Sequence, residues 1–98
     1  MSESRDASGR LTFDFNSIDS NEYSKVVRKL EGEFNLSPAN ELTIGVNEKF
    51  QDFNIGEQVV GLEWDNWLGF TVCAKKPESE GLARKLAGYI QRNIVNGT

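Results

Sequence analysis

Residues 58–74 read Gln-Val-Val-Gly-Leu-Glu-Trp-Asp-Asn-Trp-Leu-Gly-Phe-Thr-Val-Cys-Ala. Two apolar runs flank Asp65-Asn66, and both of these residues tolerate the left-handed backbone that a tight hairpin turn needs. A two-residue loop at that point sets Trp64 opposite Trp67, Leu62 opposite Gly69 and Val60 opposite Thr71. One face then carries Trp64, Trp67, Leu62, Val60 and Cys73. The other carries Val59, Gly61, Glu63, Leu68, Phe70, Val72 and Ala74, and it is the better core face, because Gly61 leaves room for Phe70. A hairpin pairs antiparallel, so the sheet built around it is largely antiparallel.

The rest of the chain is read outward from that hairpin. Upstream, Leu42, Ile44 and Val46 alternate with Thr43, Gly45 and Asn47, as in a strand. Residues 50–55 hold Phe50, Phe53 and Ile55 at a spacing that fits a short strand or a packed loop, and Gly56 marks a turn. Further back, Leu11, Phe13 and Phe15 alternate with Thr12, Asp14 and Asn16, a half-buried strand. Asp19 and Glu22 form the capping box of a helix, with Ile18 and Tyr23 as its hydrophobic staple. Tyr23, Val26, Val27 and Leu30 give that helix one apolar face. Gly32 is the expected stop, although Phe34 continues the spacing, and Leu36-Ser37-Pro38 is a connection.

Downstream, Pro77 suits the first turn of a second helix. Leu82, Leu86, Tyr89, Ile90 and Ile94 form its stripe, and Asn96-Gly97 ends it. Residues 1–10 are polar and read as a flexible N-terminal lead-in. Residues 11–98 read as a single α+β domain. The expected architecture is a four- or five-stranded, mainly antiparallel sheet with two helices packed on one face, in the order β-α-β-β-β-α.

A chain of 98 residues makes one small domain with a thin core. It contains no histidine and one cysteine, Cys73. Histidine-based triads and Cys-based zinc sites are therefore excluded, as is an intrachain disulfide. No apolar run approaches the length of a membrane helix, and residues 1–10 lack the apolar centre of a signal peptide, so a cytoplasmic protein is expected. Cys73, mid-strand in an apolar run, reads as a small buried hydrophobe.

The net charge of −4 is unevenly spread. Residues 1–30 are neutral, residues 31–74 sum to −7 and residues 75–98 to +3. An acidic middle repels phosphate, so no nucleic acid is expected there, and it attracts a basic protein surface or a cation. Lys75, Lys76, Arg84, Lys85 and Arg92 read as a solvated helix face, because no aromatic strand motif of an RNA-binding sheet accompanies them.

Asp52 with Glu57, or Glu63 with Asp65, would be the carboxylate pairs for acid–base chemistry. Such pairs need a deep, dry cleft to separate their pKa values, which a thin core does not supply. No calcium-loop pattern, GxGxxG or P-loop is present. An oxygen-only cation site between loops stays open, but neither a metal nor a cofactor is expected. The chain is expected not to be an enzyme.

Trp64 and Trp67 either stack across the turn and pin the hairpin, or stand on an open sheet face as interaction anchors. In the second case the acids nearby add charge specificity. The candidate partner-binding residues are Glu48, Asp52, Glu63, Trp64, Asp65 and Trp67.

Trp64-Asp65-Asn66-Trp67-Leu68-Gly69-Phe70, then Thr71-Val72-Cys73-Ala74-Lys75 and an amphipathic helix, resembles a W-D-x-W-x-G-hydrophobic pattern. That pattern is associated with small bacterial immunity-type proteins of toxin-delivery systems such as contact-dependent growth inhibition. The resemblance covers roughly residues 58–95. It implies a small, cytosolic, non-catalytic protein that neutralises a cognate toxin domain, often a basic nuclease, by acidic and aromatic contacts. The expected state is a monomer or weak homodimer. The rival expectation is a structural or regulatory module that self-associates through an open sheet face.

Overall fold

A computed structural model describes residues 1–97. Its elements, in chain order, are β1 (Ser2–Arg5), β2 (Leu11–Phe15), α1 (Tyr23–Phe34), β3 (Ser37–Pro38), β4 (Thr43–Ile44), β5 (Glu48–Ile55), β6 (Gln58–Asp65), β7 (Gly69–Ala74) and α2 (Glu80–Ile90). Short 3-10 turns at Ser20–Glu22 and Pro77–Ser79 lead into the helices, and a π-helical turn, Gln91–Val95, follows α2. The seven strands form one sheet in the order β1-β2-β7-β6-β5-β3, with β4 also paired to β5. Every pairing is antiparallel. This is an α+β fold, and no described helix is long and apolar enough to cross a membrane.

The helices form where their stripes place them. Glu22 reaches back to accept the Asp19 amide at 3.0 Å, one half of the capping box. Tyr23, Val26, Val27 and Leu30 of α1 are buried, as are Leu82, Ala83, Leu86, Ala87 and Ile90 of α2. Phe34 and Tyr89 meet edge-on, with ring centroids 5.6 Å apart, and join the two helices. Gly32 does not stop α1. The helix runs on to Phe34 and ends at Asn35, whose φ of 56° supplies the left-handed cap. Ser79, fully buried, accepts the Val59 amide on its Oγ at 2.9 Å and ties the start of α2 to β6.

The hairpin loop is one residue longer than expected, and the register is shifted by three residues. Asp65 pairs with Gly69, so the loop is Asn66–Leu68, and Trp64, Leu62 and Val60 oppose Phe70, Val72 and Ala74. Trp64 and Trp67 are therefore not opposite each other. Two interactions select the longer loop. Asp65 Oδ1 accepts the amides of Trp67 and Leu68 at 2.8 and 2.7 Å, an Asx-type turn. Gly69 takes a φ of 75°, and a Cβ there would collide with the Phe15 carbonyl. Because side chains alternate with a period of two, a shift by an odd number of residues moves a strand's whole side-chain set to the opposite face. The core face thus combines Val60, Leu62 and Trp64 with Phe70, Val72 and Ala74, joined by Leu11, Phe13, Phe15 and Phe53 under both helices.

Other expectations are corrected or decided. Residues 1–10 are not a flexible lead-in, because β1 pairs with β2 at the sheet edge. Asp6 Oδ1 holds the intervening turn by accepting the Ser8 and Arg10 amides. Arg5 and Glu3 ion-pair with Glu80 and Arg84 of α2, at 2.8 and 3.3 Å. The expected strand over Leu42–Val46 shrinks to β4, and Leu42, Ile44 and Val46 are all exposed. Of the two readings of residues 50–55, the strand is the one that forms, as part of the eight-residue β5, joined to β6 by a tight turn at Gly56. The sheet therefore has seven strands rather than four or five.

Candidate functional site

The pleat sends alternate residues to opposite faces. On the face away from the helices lie Asp14 of β2, Glu48 and Asp52 of β5, and Glu63 and Asp65 of β6. Four of the six expected partner-binding residues, Glu48, Asp52, Glu63 and Asp65, are thus brought onto one open surface. Asp14 joins them, on the outward side of the half-buried strand, although it was not among the candidate residues. Phe50, 40% exposed, sits between Glu48 and Asp52 along β5 and directly opposite Glu63.

The five acids fall into two groups. Lys75 lies across Gly61, with its Nζ 3.1 Å from Glu63 Oε2 and 3.7 Å from Asp52 Oδ1. A side chain at position 61 would occupy the place of the Lys75 stem. Burial works against the Lys75 charge, but Glu63 and then Asp52 outweigh it and hold its pKa above the ordinary lysine value. Asp52 and Glu63 are therefore an ion-pair cluster around a lysine rather than two carboxyls facing across a cleft. Glu48 and Asp65, cross-strand neighbours at the other end of the face, have no ion-pair partner among the described residues. Asp14 is also near Asp65. Burial raises its pKa, the Thr71 hydroxyl hydrogen bond counters this, and the charge of Asp65 raises it further.

At this unpaired acidic end two hairpin tips stand side by side, because β5 begins where β6 ends. The β6–β7 tip carries Trp67, 90% exposed. The β4–β5 tip carries Val46, 98% exposed, while Ile44, 65% exposed, pairs with Lys49 and so lies on the helix side of the sheet. A hollow of about 370 Å³ between them is lined by Asn47, Asp65, Asn66, Trp67 and Leu68. Val46 and Ile44 escaped the sequence reading because their alternation was taken as burial. The signal against it was Gly45 and Asn47 on either side of Val46, both turn residues.

Trp64 parts from the other candidates. It points to the helix-covered face, packs against the core and donates its indole N–H to the Ile18 carbonyl at 2.9 Å. Its role is to hold the segment before α1 onto the sheet. Cys73 lies on the open face but is 96% covered, and burial pushes its thiol pKa up. Among the described residues, no group of three or more acidic or cysteine side chains converges as a metal set. The chain matches no family model, no curated protein and no solved structure.

Proposed function

We propose that the protein is a binding protein, not an enzyme, that captures a basic protein partner on its open sheet face, as an immunity protein captures a toxin domain. The observation that carries this reading is the coincidence, at one end of that face, of two carboxylates without ion-pair partners among the described residues and the exposed side chains of the tip residues Trp67 and Val46. Large exposed aromatic and aliphatic side chains supply affinity when a partner desolvates them. The surrounding acids speed encounter with a basic surface and disfavour acidic partners. A basic nuclease domain, which carries cationic surface for its own substrate, fits that chemistry. Pairing two copies of this chain face to face would set like charges against each other, so self-association through the open face is the weaker reading.

The test is retention of a partner on the immobilised protein at low and high salt, with wild type beside a Glu48→Lys/Asp65→Lys variant. The same pair is then assayed for protection of cells expressing the captured protein. One basic partner, held best at low salt, lost by the folded double variant and toxic without wild-type protein, supports the reading. A folded double variant that retains and protects as wild type does removes it, as does a wild type that binds only itself.

A further inference from the structure

We propose that the hollow between the two tips is a socket for one cationic side chain of the partner, and that the arginine guanidinium is the group it is shaped to take. This rests on the basic-partner reading for the source of the arginine, but not for the chemistry of the socket. Its walls combine an exposed indole, Trp67, the aliphatic Leu68, the carboxylate of Asp65 and the amides of Asn47 and Asn66. A flat cation satisfies all of these. It stacks on an indole face, which attracts positive charge, and its fork of N–H groups reaches carboxylate and amide oxygens in one plane.

The turn itself presents the carboxylate. Asp65 Oδ1 accepts the Trp67 and Leu68 amides, so the carboxylate and the indole are held by the same loop. Asp65 Oδ2 has no hydrogen-bond partner among the described residues. Glu48, directly across from Asp65, folds its side chain back over Gly45. Glu48 is outside the hollow's lining, so its charge adds to the negative potential there without touching the occupant.

Other occupants fit less well. An apolar side chain would strip water from the carboxylate and both amides without replacing their hydrogen bonds. An anion would meet the Asp65 carboxylate. An ammonium group would satisfy the charge but would neither stack nor bond in a plane.

The test uses N-acetyl-arginine amide as probe, titrated into the ¹⁵N-labelled full chain and followed by NMR. N-acetyl-lysine amide and N-acetyl-norleucine amide serve as comparators. Saturable shifts with a millimolar Kd are expected. They should be confined to the amides of Asn47 and Asp65–Leu68 and the Trp67 indole N–H, with the Trp64 indole unmoved. The lysine probe should bind more weakly and the norleucine probe not at all.

Asp65→Asn keeps the oxygen that holds the turn and removes the charge, so it should weaken the arginine probe by about threefold or more without unfolding. Glu48→Gln should do the same to a smaller extent. Shifts that never saturate and spread over the whole acidic face would overturn the socket. So would a norleucine probe that matches arginine, or a folded Asp65→Asn variant that binds as wild type. Partner capture without a working socket would remove only this inference. A working socket without any basic partner would remove only the function proposed above.

Discussion

The two faces of this sheet are made by the same strands and differ in nearly every physical respect. Under the helices, Phe15, Phe70, Val60 and Leu62 are almost wholly excluded from water, and the Tyr23 hydroxyl and the Trp64 indole are hydrogen-bonded. The Tyr23 hydroxyl donates to the Leu62 carbonyl, and burial raises its pKa so that it stays protonated. On the opposite face the same alternation presents Asp14, Glu48, Asp52, Glu63 and Asp65, with Lys75 holding two of them together. Stability resides in the first face, and the binding proposed above would use the second. A substitution should therefore disturb one property with little effect on the other, and the two tryptophans, three residues apart, sample both.

The largest expected effect is on the covered face. Phe70→Ala removes a fully buried ring from the centre of the core, a loss of about 3–5 kcal/mol. That is a large share of the roughly 5–15 kcal/mol that holds a domain folded. Urea unfolding should show a much lower midpoint or no folded baseline, and a near-wild-type midpoint would mean that the helices do not close over this ring.

Next comes the link that sets which residues occupy which face. Gly69→Ala forces a side chain into a left-handed backbone, at about 1–3 kcal/mol, and against the Phe15 carbonyl besides. The melting temperature should fall, and the amides of Asp65–Phe70 should shift most. A neutral result would argue for the two-residue loop instead.

The tryptophan pair sharpens the comparison. Trp64→Ala should cost about 2–3 kcal/mol, since it removes packing against the core and frees the Ile18 carbonyl. Trp67→Ala should change stability by no more than about 0.5 kcal/mol. Acrylamide quenching distinguishes them directly, because the emission that remains in Trp67→Ala should be the better shielded. Equal quenching in both variants would break the contrast between the faces.

The smallest effect is electrostatic. The folded pKa of Asp14 is raised, mainly by partial burial, so the folded state holds its proton more tightly than the unfolded chain does. Ionised Asp14 is therefore a small burden on stability at neutral pH, and that burden disappears as pH falls through the carboxylate range. Asp14→Asn should give a slight gain at pH 7 that fades toward acid. A variant that is less stable at pH 7 would show that the Thr71 hydrogen bond outweighs the burial.

Local patterns made some of this architecture readable and left other parts hidden. Tyr23, Val26, Val27 and Leu30 declare α1 because a helix's neighbours lie within four residues of one another. The edge strand β1 shows no apolar alternation, since both of its faces meet solvent or ion pairs. Strand β5 is masked for a related reason. Toward the helices it presents Lys49 and Gln51 before Phe53, and these polar groups bond the Ser20 and Asn40 carbonyls at the margin of the core. Of the candidate site, the acids were legible as a charge excess and Trp67 as an aromatic at a turn. Val46 and the hollow were not, because they depend on two hairpin tips being adjacent.

The amino-acid sequence by itself determined the helices, the strand of Leu11–Phe15, the existence of a hairpin in residues 58–74 and the acidic middle of the chain. Each is a property of neighbours a few positions apart. Only the tertiary structure decided the hairpin register, the parting of Trp64 from Trp67 and the gathering of Glu48, Asp65 and Val46 at one end of the sheet. Two-residue and three-residue loops both satisfy local turn chemistry at Asp65. The choice between them rests on the close approach of Gly69 to Phe15, fifty-four positions away, and on which face the helices cover.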